Sequence, residues 1–405
     1  MNPAAKNTPE NELTKTLRRQ ADHFSASGGG NLDYAQVVSR AGEIRRGRRM
    51  RASMVMAAVV VAVAVPIGIT TLASDPVKKT PSVATEPDGS KIGLTAMPTG
   101  KAPTNGYLLD GTLYVGKKRL PLGSGGDPME LVRIDGGYLV ARSTEQSMAV
   151  SFISDNGKST GEAWPYEGGG IAVSPEGNVG AFVEPDGTVM AVEGGGSRYF
   201  EIGSVPAAGH YSARAVVGEN CSGRSEETGC TVYVQSNDEK PKVYTISPHQ
   251  EAAEVDTPII GLADVRTDGS RTLLAGMISV NDTEPGSCSE VSENGKQLWK
   301  TCDYSLDEFS PDGRYVLAGP AYRDGPGDGK FAVLDAATGD LVLDLGTTRE
   351  AIVVATRWDD DNHVVATVIE GNQSAIVRFE TNGSREYASK KVTEPEPYLT
   401  SFLLG

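Results

Sequence analysis

The chain predicts an all-β body of short repeated units, carried behind a single membrane-spanning helix. Three observations lead there. Residues 52–73 form an uncharged apolar run. A turn of the type Ser-Pro-Asp-Gly recurs ahead of strands rich in small residues, and glycine (48) and proline (23) punctuate the chain too often for long helices.

The run reads ASMVMAAVVVAVAVPIGITTLA. At about 1.5 Å per residue, about 20 apolar residues match a hydrocarbon core of about 30 Å. A soluble core helix of this length would carry a polar face, and this one has none. Pro66 removes one backbone donor, which membrane helices tolerate. Arg45, Arg46, Arg48, Arg49 and Arg51 crowd its N-terminal end, so the positive-inside rule keeps residues 1–51 cytoplasmic and sends everything after Ala73 outside. Thr71-Leu72-Ala73-Ser74 has the small residues of a cleavage site, but the preceding n-region of about 50 residues is far too long. The expectation is an uncleaved signal anchor in a single-pass cell-membrane protein.

Charge follows the same division. Residues 1–51 hold ten Lys/Arg and five Asp/Glu, a net of +5, against −15 for the whole chain. The exterior part is therefore strongly acidic, which argues against nucleic acid or an anionic lipid surface as its partner. All four cysteines lie in this part, in two local pairs: Cys221 with Cys230, and Cys288 with Cys302. Both intervening stretches look like polar hairpin tips, and an oxidising exterior predicts two short-range disulfides. A four-cysteine zinc site is the alternative, but no C-x-x-C and no nearby histidine supports it.

Residues 74–104, rich in Pro, Thr, Ser, Gly and Lys, read as a flexible linker. From about residue 105 to 405, short Val/Ile/Leu/Tyr/Phe runs alternate with Gly, Asn-Gly and Asp-Gly turns. Val173-Ser174-Pro175-Glu176-Gly177, Arg266-Thr267-Asp268-Gly269 and Phe309-Ser310-Pro311-Asp312-Gly313-Arg314 each precede a small-residue strand; Trp358-Asp359-Asp360-Asp361-Asn362-His363 is a degenerate copy. Proline presets φ and Asp-Gly supplies the left-handed position that reverses the strand. Weaker units begin near Arg133 and Ala213. Their spacing of about 40–50 residues is that of a four-stranded propeller blade. Six units are countable. Tyr107-Leu108-Leu109 with Thr112-Leu113-Tyr114-Val115 supplies part of a seventh, which the final run Tyr398–Leu404 would complete by joining the chain ends. The predicted fold is an all-β β-propeller of about seven blades, with six or eight as the alternatives.

The Ser-Pro-Asp-Gly-Arg form resembles the blades of WD-repeat and TolB-like propellers, and the Trp358–His363 turn resembles a variant common in membrane-anchored WD-like proteins of the actinobacterial type. The resemblance covers about 300 residues and concerns fold only. Gly-His and Trp-Asp dipeptides at blade ends are missing, so a regular eukaryotic-type array is not expected.

In the head, Leu13, Leu17, Ala21 and Phe24 fall on one helical face, and Tyr34, Val37, Val38, Ala41 and Ile44 on another. Two short helices that pack together or await a cytoplasmic partner fit this pattern. The layout is similar to membrane anti-sigma factors, although the head has His23 and lacks the His-x-x-x-Cys-x-x-Cys pattern of their zinc-binding members.

Nothing in the sequence marks catalysis or a cofactor. His210 reads as a loop residue, His249 as the end of a strand and His363 as part of a blade turn, and no H-E-x-x-H, G-x-S-x-G or Walker-type loop occurs. Acid-rich turns at 324–329 and 359–362 invite calcium, but neither has the spacing of an EF-hand loop or a nonapeptide repeat. The Gly168–Gly170 and Gly194–Gly196 runs read as flexible tips. The leading expectation is a non-enzymatic extracytoplasmic module for binding a protein or small envelope ligand, or for scaffolding. The alternatives are an anti-sigma-like transmembrane regulator and an envelope hydrolase or lyase.

Overall fold

A computed structural model of the chain describes residues 91–405, apart from 95–96, 124, 145–146, 207–209, 223–228, 281–285 and 324–326. The expected head, membrane span and first part of the linker lie outside the described residues. Seven antiparallel sheets form a seven-bladed propeller. From the axis outward, blade 2 is Asp127–Ile134, Gly137–Ser143, Met148–Ser154 and Trp164–Pro165. Blade 3 is Ala172–Val173, Val179–Val183, Thr188–Glu193 and Arg198–Ser204. Blade 4 is Tyr211–Val217, Thr231–Ser236, Val243–Ile246 and Ala253–Glu254. Blade 5 is Gly261–Asp268, Arg271–Ser279, Cys288–Glu293 and Lys296–Thr301. Blade 6 is Tyr304–Phe309, Tyr315–Pro320, Lys330–Asp335 and Leu341–Gly346. Blade 7 is Ala351–Asp360, His363–Glu370, Gln373–Glu380 and Arg385–Tyr387, with Val392–Thr393 also on its third strand.

Blade 1 closes the ring as the sequence predicts. Its inner strand is C-terminal, Phe402–Leu404, and its other three are N-terminal: Tyr107–Leu109, Thr112–Val115 and Lys118–Pro121. The register is Tyr107↔Leu404, Leu108↔Leu403 and Leu109↔Phe402. Pairing the two chain ends removes the gap that an open ring would expose.

The core is divided among the blade junctions, because each sheet buries both faces. Along His363–Glu370, Val364, Ala366 and Val368 pack towards blade 6, while Val365 packs towards blade 1. Leu317 and its neighbours Val316 and Ala318 split in the same way between blades 7 and 5. A strand buried on both faces reads as a continuous apolar run, which is why these segments lack simple alternation.

Two sequence expectations change. The linker does not extend to residue 104. Ile92 and Leu94 are buried, Ile92 N donates to Gly346 O (2.8 Å), and Leu94 N donates to Glu370 Oε2 (2.9 Å). Further along, Gly100 N donates to Tyr387 O (2.9 Å) and Thr104 N to Asp359 Oδ1 (2.6 Å). Two isolated apolar residues show no period, yet they suffice to anchor a strap whose backbone bonds to blades 6 and 7. The Gly168–Gly170 run is likewise no loose tip. It has positive φ throughout, and a Cβ on Gly169 would lie 2.2 Å from Ser212 Oγ, so it wraps tightly against the inner strand of blade 4.

Candidate functional site

The inner strands hold the chemistry. The face on which they begin is called upper here, and the face bearing the Ser-Pro-Asp-Gly-type turns lower. Five inner strands carry a register shift in their first half or middle: between Pro128 and Glu130, Ala213 and Ala215, Leu262 and Asp264, Leu306 and Phe309, and Val353 and Ala355. A bulge inserts one residue, bends the strand and re-aims a side chain. Here the shifts accompany charged residues at the axis: Glu130, Arg214, Asp264, Asp307 and Glu308, joined by Arg357.

That these groups share one space follows from their mutual influence. Asp307 acts on Arg214, Asp264, Glu308 and Arg357, and Glu130 acts on both Arg214 and Arg357. These residues come from blades 2, 4, 5, 6 and 7, and only the axis is common to all of them. The groups are enclosed by protein but wetted: the side chains of Arg357 and Glu308 keep 43% and 26% of their exposure, and Arg214 is exposed. A solvent-accessible central channel reconciles the two facts.

Most channel carboxylates hold blades together. Glu130 Oε1 accepts from Ile171 N of blade 3 (2.8 Å), and its Oε2 accepts from the Tyr166 hydroxyl (2.7 Å). Tyr166 Oη in turn accepts from Gly170 N (2.7 Å), which explains the tight glycine wrap. Asp264 Oδ2 accepts from Phe309 N of blade 6 (2.9 Å), and Glu308 Oε1 accepts from Trp358 N of blade 7 (2.7 Å). Arg357 Nη1 reaches Glu308 Oε2 at 3.4 Å. In each case a carboxylate on one inner strand satisfies a backbone donor on the next.

Enclosure sets their protonation. Burial pushes Asp264 up to about 6, against the pull of the Phe309 and Val265 backbone donors. Burial pushes Glu308 up to about 7; Arg357 opposes the rise and Asp307 adds to it. Burial lowers Arg214, with Glu130 opposing. Burial raises Tyr166 far above the usual phenol range, and Glu130 adds to the effect.

Arg214 and Asp307 differ from the rest. Among the described residues neither has a hydrogen-bond or ion-pair partner. On the upper face, a cavity of about 480 Å³ opens between blades 5 and 6, lined by Met277, Val280, Ser305, Pro320, Tyr322 and Arg323, among others. Arg323 pairs with Asp328 at 3.3 Å.

The residues singled out from the sequence go elsewhere. Cys221–Cys230 and Cys288–Cys302 are both disulfides, as expected. The first closes the loop between the two inner strands of blade 4. The second ties the open end of the Cys288–Glu293/Lys296–Thr301 hairpin rather than bracketing a tip. His210 pairs with Glu167, His363 with Asp360, and His249 sits at φ 64°. Asp359 does not stay with its acidic turn; it is buried against Arg378. Among the described residues no cluster of His, Cys, Asp and Glu could hold a metal ion. The channel charges were missed, although a visible signal exists: Ala213-Arg214-Ala215 and Leu306-Asp307-Glu308-Phe309 place charges inside apolar strands.

No protein-family model and no curated protein matches the chain. Solved structures do resemble it. The β-propeller domain of Cps50 (Swd1) from Myceliophteria thermophila is 10% identical, with a TM-score of 0.44, covering 72% of this chain and 90% of that one. YCF48 bound to D1 peptide is 14% identical at a TM-score of 0.44, covering 72% and 88%. The dihydro-heme d1 dehydrogenase NirN in complex with DHE is 14% identical at 0.42, covering 74% and 77%. At such identity no residue-level correspondence follows.

Proposed function

We propose that the chain is a single-pass membrane protein whose propeller stands outside the cytoplasm and recognises a ligand without transforming it. The observation that carries the recognition reading is the division of labour in the channel. Glu130, Asp264 and Glu308 spend oxygens on backbone donors of the next blade, while Arg214 and Asp307 are unengaged among the described residues. Groups committed to holding blades are poor general acids or bases, because moving their protons would loosen a junction. Unengaged opposite charges on a rigid ring suit binding.

The location rests on the apolar run at 52–73 with its arginine collar, and on the pairing of all four cysteines. Reporter fusions after Gly405 test it. Alkaline phosphatase fused there should be active and a green fluorescent protein dark; the opposite pattern reverses the topology and overturns the reading.

A further inference from the structure

We infer that the upper-face cavity between blades 5 and 6 binds a small apolar carboxylate, with the acid on Arg323 and the hydrocarbon against Met277, Val280 and Pro320. This goes beyond the recognition reading above, which is carried by the channel groups, and names a second place and a ligand class.

The cavity has a volume of about 480 Å³, within the range of small-molecule pockets. Its walls are stitched together across the blade junction. Ser287 N and Ser287 Oγ both donate to Ala321 O (3.0 and 2.9 Å), and the adjoining Cys288 is tied to Cys302. Gly286, at φ 91°, lets the two walls approach, since a Cβ there would lie 2.6 Å from Ala321 O. Arg323 is held as firmly. Its Nε faces Asp328 Oδ1 at 3.3 Å, and its guanidinium lies over Gly319, where a Cβ would overlap Nη2. Asp328 is itself fixed to blade 7: its N–H donates to Val353 O (2.7 Å) and its carbonyl accepts from Val353 N (2.9 Å).

The lining then selects the ligand. Among its described residues only Arg323 is charged, a cation in a chain of net charge −15. Asp328 takes the Nε side, and the terminal nitrogens donate no hydrogen bond among the described residues. Their planar fork matches the two oxygens of a carboxylate. The side-chain hydroxyls of Ser305 and Tyr322, also without a hydrogen-bond partner among the described residues, are further donors in the lining. Met277, Val280, Pro320 and Ala321 supply an apolar wall, of which Val280 is 62% exposed. A cation would be repelled by the arginine, and an inorganic anion would leave that wall in water. One acid on a short hydrocarbon body answers both.

The test is calorimetric titration of the full chain in detergent micelles, with micelles alone as the blank. Hexanoate and N-acetyl-L-leucine are the probes, the first a plain hydrocarbon acid and the second the acylated end of a peptide. Acetate, which lacks the hydrocarbon, and hexan-1-ol, which lacks the charge, are the controls. Saturable binding of at least one probe, about tenfold tighter than either control or more, is expected, and the better probe identifies the source of the ligand. Arg323→Gln should weaken binding about tenfold or more, and Arg323→Lys should restore part of the loss. Val280→Asp, at an exposed position, should also weaken it while leaving the Arg323–Asp328 pair in place. Binding of neither probe overturns the proposal, as does hexan-1-ol binding as tightly as hexanoate. Unchanged affinity in Arg323→Gln overturns it as well.

Discussion

The two ends of the inner strands solve the same problem in opposite ways. At the lower end, the turns close largely on their own backbone, although Glu219 of blade 4 also accepts from Ser174 Oγ and from Glu176 N. Ser174 Oγ accepts from Val179 N (3.0 Å) while Gly177 N donates to Ser174 O (2.9 Å). Ser310 repeats the arrangement with Tyr315 N (3.0 Å) and Gly313 N (2.8 Å), and its hydroxyl donates to Asp312 (2.7 Å). In blade 7 the side chain of Asp360 takes the serine's place, accepting from Asn362 N (2.9 Å) and His363 N (3.0 Å). Nearer the upper end, bulges break the ladder, and the partners of Glu130, Asp264 and Glu308 lie on the following blade. Local closure makes the lower turns interchangeable. Dependence on a neighbouring blade makes each channel position individual, which is where specificity can reside.

Three measurements would break or sharpen that contrast. The largest effect should come from Arg378→Met. The Arg378 and Asp359 side chains keep only 8% and 1% of their exposure, and Arg378 also donates to Ala102 O (3.1 Å) in the N-terminal strap. Removing the arginine leaves a buried carboxylate without its cation, a loss of about 3–5 kcal/mol. Urea unfolding of the full chain reads it. A loss under about 1 kcal/mol would show that the lower end of blade 7 tolerates an unpaired charge as a surface would.

Next is Ser310→Ala, which removes a fully buried hydroxyl and orphans the Tyr315 donor, and should cost about 1–2 kcal/mol by the same measurement. Ser174→Ala should cost a similar amount if the turns are truly interchangeable, even though Ser174 also donates to Glu219 (2.5 Å). A much larger cost at Ser174 would mean that the contact with Glu219 of blade 4 outweighs the turn's own closure.

The smallest effect is a slope, since the Glu308 side chain keeps 26% of its exposure and solvent screens it. Glu308 is held at about 7 against an ordinary value near 4.5, so the folded chain binds a proton there that the unfolded chain has released. Stability contributed by this group is therefore present below about 4.5 and is lost as the pH rises towards about 7. Glu308→Gln should flatten that part of the stability-against-pH curve. A variant whose curve keeps the wild-type slope would assign it to Asp264, which lies near 6 for the same reason.

Legibility follows interaction range. The turn at Phe309–Arg314 was readable because proline, aspartate and glycine act on their own backbone within a few residues. The ring closure was readable because Tyr107–Leu109 and the final run were apolar strands lacking a partner. The strap at 91–104 was not, because Ile92 and Leu94 carry no period and their partners Gly346 and Glu370 lie more than 250 residues away. Nor was the separation of Asp359 from Asp360: both sit in one acidic run, yet one points inward to Arg378 and the other caps its turn.

By itself, then, the sequence narrowed the ring to about seven blades and determined the turns, the closing strands and the cysteine pairs, all of which rest on local backbone preference, hydrophobic periodicity and short spans of chain. Only the tertiary structure decided which charges meet at the axis. Glu130, Arg214, Asp307 and Arg357 are distributed over 228 positions of sequence and share a channel solely because the ring brings their four inner strands to one line. Electrostatic and steric partners across that line depend on strand register and bulges, and these are fixed by packing between blades rather than by any residue's neighbours in the chain.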